Sequence, residues 1–138
     1  MDLSFEITVD VASRLVRLKV GGLFTLDDVQ AFAAEQRAAY AKLGTARGRH
    51  RTLCDVSECK IQLQEVFAAF RQLLDDPWLM SERMAFVTGR SPAKMQVRRL
   101  ISRDTCRFFD GVREAEQWLR EQQAVQAPAR VQAAEARF

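Results

Sequence analysis

Between Arg83 and Leu119 the chain reads RMAFVTGRSPAKMQVRRLISRDTCRFFDGVREAEQWL. This stretch begins with a short uncharged run, Met84–Val87, of the kind that forms a buried strand. Ser91-Pro92 then supplies a helix start, because serine caps free N–H groups and proline needs no donor at the first helical position. A second apolar run, Cys106–Phe109, leads into another helix. Strand, helix, strand and helix at this spacing predict a parallel α/β layer.

The elements that precede this stretch extend the same pattern. Apolar and polar residues alternate over Phe5–Val9 and Val16–Val20, which predicts a hairpin of two strands. An apolar stripe of helical spacing predicts an amphipathic helix over residues 26–43. A strand at Leu53–Val56 and a second helical stripe at Leu63–Leu74 follow. The predicted order is β-β-α-β-α-β-α-β-α, a single α/β domain with a five-stranded mixed sheet and helices packed on it.

Composition is that of an ordinary globular protein. The 138 residues are 48% hydrophobic and carry a net charge of +3. No apolar run reaches the ~20 residues of a membrane span, and Met1–Glu6 lacks the features of a signal peptide. The three cysteines, Cys54, Cys59 and Cys106, follow no close-spaced metal pattern. We therefore expect reduced thiols and a cytoplasmic location.

Three segments resemble the SpoIIAA-like branch of the STAS superfamily. They are Asp55 at the end of the third strand, Ala85–Thr88, and the run FDGVREAEQWL at Phe109–Leu119. The resemblance covers about residues 3–122 and implies the fold much more than an activity. In STAS domains that act as anti-sigma-factor antagonists, a phosphorylatable serine stands where the helix after the third strand begins. The corresponding stretch here, Ile61–Gln64, contains no serine, so the resemblance implies no phosphate switch at that turn.

The chain changes character after Gln122. Residues 123–138 are rich in Ala, Gln and Arg and show no strong apolar pattern. We therefore predict a STAS/SpoIIAA-like domain at residues 1–122 and a C-terminal extension at 123–138, either frayed or helical only with a partner.

A basic segment supplies the candidate ligand site. Residues 81–138 carry a net charge of +4, against −1 for residues 1–80, which favours an anionic partner. The turn between the strand and the helix is where parallel sheets place ligands and where helix N–H groups bind anions. The predicted anion site comprises Gly89, Arg90, Ser91 and Lys94. A plain capped helix with solvated charges is the alternative, and the lack of a glycine-rich phosphate motif argues against a nucleotide.

Two other charged segments are interpreted as solvent-facing. Thr45–Arg51 is predicted to be a basic surface loop. The helix after Ser91 spreads four cations over its polar side: Lys94, Arg98, Arg99 and Arg103. No aromatic residue interleaves with them, so we expect a solvated face and no specific nucleic-acid binding.

Candidates for catalysis are few. His50 is the only histidine, and Cys54 would lie ~13 Å from it along an extended strand, too far for a nucleophile and base. Asp55 has no second acid nearby in sequence. Cys54 and Cys106 are expected in the core and Cys59 in an accessible loop. We predict no enzyme activity, no metal site and no cofactor.

An apolar cluster follows the second predicted helix. Trp78, Leu79 and Met80 occupy a connection that should be exposed, so they form either a lid over a pocket or a protein interface. The alternative is that Trp78 plugs the bottom of the sheet. For the SpoIIAA-like group, the resemblance implies a lid over an apolar cavity.

These observations lead to two hypotheses about function. The first is a non-enzymatic STAS-like binding or regulatory module that acts through protein contacts, with self-association as a homodimer. The alternative is a carrier of a small amphipathic or lipid-like anionic ligand. Its anionic head would bind at Gly89–Ser91 with Lys94, and its apolar body would lie beneath Trp78–Met80.

Overall fold

The computed structural model describes residues 3–100 and 103–121. Within these residues the strands are β1 Ser4–Asp10, β2 Leu15–Gly22, β3 Arg51–Cys59, β4 Arg83–Val87 and β5 Cys106–Phe109. The α-helices are α1 Leu26–Ala41, α2 Gln64–Leu74, α3 Lys94–Arg98 and α4 at residues 112–121. None of these helices is long and apolar enough to cross a membrane. The predicted extension at 123–138 lies outside the described residues.

The five strands form one sheet in the order β1-β2-β3-β4-β5. β1 and β2 form the predicted antiparallel hairpin, with Phe5 opposite Val20 and Val9 opposite Val16. From β2 onward each strand is parallel to the next, so every connection crosses a face of the sheet. The α/β class and the five-stranded mixed sheet predicted from the sequence are therefore confirmed.

Three helices, α1, α2 and α3, pack on one face of the sheet. Val16, Leu18 and Val20 of β2 are buried there, because alternate residues of a strand point to the same side. The rings of Phe24 and Phe70 meet edge to face, with centroids 5.2 Å apart. This larger core contains the candidate site.

The other face of the sheet is covered by α4. Leu53, Ala85 and Val87 form a second, smaller core with Trp118 and Leu119. Successive residues within β3, and within β4, therefore belong to different cores. The two faces of the sheet can be compared by mutating one residue on each face.

The prediction of a basic surface loop at Thr45–Arg51 is wrong at the C-terminal end of that segment. His50 is fully buried and Arg51 is only 5% exposed. The Arg51 guanidinium donates to the carbonyl of Leu119 and to the carboxylate of Glu82, each at 2.7 Å. These bonds compensate for the burial of its charge. Both partners are distant in sequence, which explains why the local pattern indicated only polarity.

Two elements differ in length from their predictions. β3 is longer than Leu53–Val56, because its ladder with β2 continues through Cys59 despite the polar residues Ser57 and Glu58. The helix expected from Ser91 is only five residues long, Lys94–Arg98.

Candidate functional site

A cavity of about 100 Å³ lies between the sheet and helices α1, α2 and α3. One wall is the inner face of β2, β3 and β4, and the opposite wall consists of aromatic and aliphatic side chains from the helices. The strands contribute Leu18, Val20, Cys54, Val56, Met84 and Phe86. The helices contribute Phe32, Phe67, Phe70, Leu73, Leu74 and Val97. Native cores rarely leave a void larger than a water molecule, so this apolar opening is the candidate binding site.

Two glutamines in the cavity wall, Gln62 and Gln96, are fully hydrogen-bonded. The Gln62 amide accepts the N–H of Phe24 at 2.8 Å and donates to the carbonyl of Gly22 at 2.9 Å. Gln96 accepts the N–H of Gln62 at 2.8 Å and donates to the carbonyl of the same residue at 2.9 Å. These amides fasten α3 to the connection between β3 and α2, which gives them a structural role.

A chain of polar side chains borders the cavity near the amino ends of β3 and β4. Gln36 Nε2 donates to the Tyr40 hydroxyl at 3.2 Å, and this hydroxyl is 3.3 Å from Thr52 Oγ1. Thr52 Oγ1 lies 2.6 Å from Ser81 Oγ, which in turn lies 3.2 Å from His50 Nε2. Gln36, Tyr40 and Ser81 belong to the cavity wall. We refer to these five residues as the polar chain.

The hydrogen bonds of His50 fix its tautomer. Its Nδ1 accepts the backbone N–H of Gly48 at 3.1 Å, so the hydrogen of the neutral ring is on Nε2 and is donated to Ser81. Burial, followed by the charge of Arg47, lowers the pKa of His50 to about 4. A serine next to a histidine is typical of a nucleophile and its base. Here the histidine has no free lone pair with which to take the serine proton.

Gln36 differs from the other glutamines of the wall. Its Nε2 is bonded to Tyr40, but its Oε1 has no hydrogen-bond partner among the described residues. The residue is 6% exposed, and an unpaired polar atom at such a site costs ~1–3 kcal/mol. No sequence pattern singled out Gln36 as a site residue. The only indication in the sequence is that a polar residue stands next to the apolar stripe of α1.

Of the three predicted lid residues, Leu79 and Met80 line the cavity and Trp78 does not. Leu79 is 6% exposed and lines the cavity with Met80, in a connection that contains a short 3-10 turn at Pro77–Leu79. Trp78 is not part of the wall. Its ring lies 4.3 Å from the guanidinium of Arg47, which also donates to the Trp78 carbonyl at 3.0 Å. The connection is therefore packed against the domain, and the expectation of an exposed cluster is wrong for Leu79.

The predicted anion-binding residues Ser91 and Lys94 have partners within the domain. Ser91 is 5% exposed; its Oγ donates to the carbonyl of Cys59 at 2.7 Å and accepts the N–H of Ala93 at 3.0 Å. Lys94 Nζ lies 3.2 Å from the carboxylate of Asp110. The Ser91 hydroxyl therefore has a structural role, and the Lys94 ammonium is paired with a carboxylate.

Gly89 and Arg90 complete the predicted anion site. Gly89 has a φ of +53°, and a Cβ there would lie 3.1 Å from Cβ of Ser57; both the backbone conformation and the close approach favour glycine. Arg90 is exposed. Gly89, Arg90, Ser91 and Lys94 adjoin one another at the turn, and none of them lines the cavity.

Arg103 brings a positive charge to the cavity wall. It was expected on a solvated helix face, but it is partly buried. Its guanidinium donates to the carbonyl of Leu74 at 3.2 Å and lies 3.7 Å from Sδ of Met80. These contacts tie it to the end of α2 and to the connection that follows.

The thiols of Cys54 and Cys59 are buried, and the carboxylate of Asp55 is hydrogen-bonded within the domain. Cys59, expected to be accessible, is 8% exposed and donates to the carbonyl of Val20 at 3.4 Å. Burial raises the pKa of Cys59 to about 12 and raises the pKa of Cys54 still further. Asp55 Oδ1 accepts the N–H and the hydroxyl of Ser57 at 3.0 and 2.7 Å. Among the described residues, no group of three or more His, Cys, Asp or Glu could hold a metal ion.

The chain was compared with protein families, curated proteins and solved structures. No family model and no curated protein matches it. It is similar to the crystal structure of an uncharacterized protein from the DUF3478 family with a SpoIIAA-like fold, from Shewanella loihica PV-4. The two share 17% sequence identity, with a TM-score of 0.65, over 86% of this chain and 95% of that chain. This likeness confirms the predicted SpoIIAA-like fold, and at this identity it shows the fold alone.

Proposed function

We propose that this STAS-like module is a non-enzymatic protein that binds a small, largely apolar molecule in the cavity between its sheet and its helices. The observation that carries the proposal is a cavity of about 100 Å³ with mostly apolar walls in the main core. An engineered apolar cavity of ~150 Å³ is large enough to bind benzene. The cavity here is smaller than that, so the expected occupant is a molecule no larger than benzene, or the matching part of a longer one.

The non-enzymatic part of the proposal is supported by the polar chain. Its histidine is neutral and has both ring nitrogens engaged by Gly48 and Ser81. Burial raises the pKa of the Cys54 and Cys59 thiols, so these two are poor nucleophiles at neutral pH. These groups can orient a bound molecule, and none of them is prepared to transfer a proton.

The cavity also changes the order of the two hypotheses drawn from the sequence. There, protein contacts came first and a ligand carrier second, with an anionic head at Arg90 and Lys94. Lys94 is paired with Asp110, and neither cation lines the cavity. We therefore propose ligand binding first, without an anionic head at that turn.

Native mass spectrometry of the freshly purified full chain tests this proposal. A bound molecule should appear as added mass on the wild type. Val56→Phe should lose that mass because Val56 lines the cavity, while the same substitution at Val11, which is 50% exposed, should retain it. A folded Val56→Phe protein with the wild-type mass would contradict the proposal. So would a wild type that carries no added mass and shows no response to benzene in solution.

A second candidate function, protein contact through self-association, is favoured by a different surface. A groove beside the first turns of α1 and α2 is lined by Leu23, Leu26 and Leu63, which are 48%, 44% and 60% exposed. Exposed apolar side chains that share one groove are typical of an interaction site. We propose that a second copy of this chain covers the groove, as a homodimer in which equivalent surfaces meet.

The charges at the groove give this dimer a testable property. Three acidic residues, Asp27, Asp28 and Glu65, line the groove together with one lysine, Lys60, so pairing two grooves brings together two surfaces that each have an excess of negative charge. Salt should therefore strengthen the dimer by screening this repulsion. Light scattering after size exclusion at about 100 µM should show a dimer that Leu63→Gln disrupts. A monomer at every salt concentration would contradict this candidate.

A further inference from the structure

We infer that the molecule held in the cavity carries a neutral hydroxyl group and that the amide of Gln36 is its hydrogen-bond partner. The inference rests on the proposed function and adds the chemical class of the ligand. It starts from the Gln36 amide, which is buried in the wall of a mostly apolar cavity and has one unpaired atom.

Among the three glutamines of the cavity wall, only Gln36 has an unpaired amide atom. The other two glutamines of the wall, Gln62 and Gln96, have both ends of their amides bonded to backbone groups. Gln36 is 6% exposed, so bulk water does not satisfy its Oε1. Buried polar atoms are almost always paired in native proteins, and a ligand in the cavity is the partner that the described residues do not provide.

The two possible orientations of the amide select the same chemistry. With Nε2 on Tyr40, Oε1 needs a donor; with the amide turned over, Oε1 would accept from Tyr40 and Nε2 would need an acceptor. A hydroxyl group satisfies either arrangement, because it both donates and accepts. A carboxylate only accepts, so it fits one arrangement and is repelled in the other.

The surroundings of Gln36 also favour a neutral group. The polar chain that leads away from it contains an uncharged tyrosine and a neutral histidine, and burial raises the pKa of Tyr40. Arg103 is the nearest alternative for a carboxylate, since it is the charged residue among those that line the cavity. Its guanidinium already has partners at Leu74 and Met80.

The inference is tested with three probes that share one ring: benzene, phenol and benzoate. Binding to the full chain is followed by NMR through the methyl groups of Met80 and Met84, which line the cavity. One neutral hydrogen bond corresponds to about tenfold in affinity, so phenol should bind about ten times more tightly than benzene. Benzoate should bind more weakly than phenol.

The matched variant is Gln36→Leu, which keeps the size of the side chain and removes its polar atoms. It should still bind benzene, and phenol should lose its advantage. Gln30→Leu, at an exposed position of the same helix, should behave as the wild type. If Gln36→Leu does not fold, Gln36→Met makes the same comparison with a more flexible side chain.

Each other outcome contradicts a different statement. Equal affinities for benzene and phenol in the wild type would overturn the hydroxyl inference and leave the proposed function standing. Benzoate binding more tightly than phenol would overturn it in favour of a carboxylate at Arg103. An advantage of phenol that persists in Gln36→Leu would remove Gln36 from the site. Failure of all three probes to bind would contradict the proposed function itself, and the inference with it.

Discussion

Nε2 of His50 lies 3.2 Å from Oγ of Ser81, while Nδ1 of the same ring accepts the backbone N–H of Gly48. With Nδ1 as the acceptor of the Gly48 N–H, the ring is neutral and its hydrogen is assigned to Nε2. Protonation would place a second hydrogen on Nδ1, directly against the N–H of Gly48, in a side chain that is fully buried. The low pKa of His50, about 4, follows from this burial and from the charge of Arg47.

The first prediction concerns the dependence of stability on pH. An unfolded histidine titrates near pH 6.5, so between about pH 6.5 and pH 4 the unfolded chain binds a proton that the folded chain does not. Stability is therefore full above pH 6.5 and falls as the pH decreases, by roughly 2 kcal/mol at pH 5. Urea unfolding at several pH values measures this change. His50→Gln should remove most of it, because His50 is the only histidine. A wild-type free energy of unfolding that is constant from pH 7 to pH 5 would contradict the prediction.

The second prediction compares the two cores. Val56 and Val87 lie on adjacent strands and are 6% and 2% exposed, but only Val56 lines the cavity. Val56→Leu should leave the free energy of unfolding unchanged or raise it by up to ~0.8 kcal/mol, since the added methylene fills empty space. Val87→Leu should lower it by ~1–3 kcal/mol, because Val87 is buried under α4 and does not line the cavity. Equal losses in both variants would indicate that the cavity is closed in solution.

The sheet could be predicted because each of its faces leaves a periodic pattern in the sequence. Alternation over Phe5–Val9 and Val16–Val20 predicted the hairpin, and the helix predicted over residues 26–43 is observed at Leu26–Ala41. Periodicity is a local property, and it describes one face of one element at a time. This explains why the fold followed from the sequence.

The cavity could not be predicted in the same way. Its volume depends on how side chains from several strands and helices pack together, and no local sequence pattern indicates that packing. The contact of Gln62 with Gln96 and that of Arg51 with Leu119 each join residues more than thirty positions apart. The apolar cluster at Trp78–Met80 did indicate part of the wall, because Leu79 and Met80 line it. The rest of the cavity wall depends on contacts between residues distant in sequence, which local propensity does not indicate.

The third prediction concerns Arg51, which connects β3 to the carbonyl of Leu119. Arg51→Met should lower the free energy of unfolding by roughly 2–3 kcal/mol, because a charge-assisted hydrogen bond is lost and a buried carbonyl is left unpaired. Arg51→Lys should recover only part of this, since an ammonium group cannot reproduce the two-pronged geometry toward Leu119 and Glu82. Arg113→Met, at an exposed position of α4, should change it by less than ~0.5 kcal/mol. Chemical denaturation of the four proteins makes the comparison. An Arg51→Met protein as stable as the wild type would mean that the packing of the Arg51 side chain contributes more to stability than its hydrogen bonds.

The last prediction separates folding from anion binding at the turn before α3. Ser91→Ala should lower the free energy of unfolding by ~1–3 kcal/mol, because the buried Oγ bonds both Cys59 and Ala93. Arg90→Ala should leave the melting temperature unchanged, since Arg90 is exposed. Sulfate should affect the wild type and Arg90→Ala equally, because the neighbouring Lys94 is already paired with Asp110. Thermal melts with and without sulfate measure both effects. If sulfate raises the melting temperature of the wild type and Arg90→Ala loses that rise, this turn binds anions as the sequence first indicated.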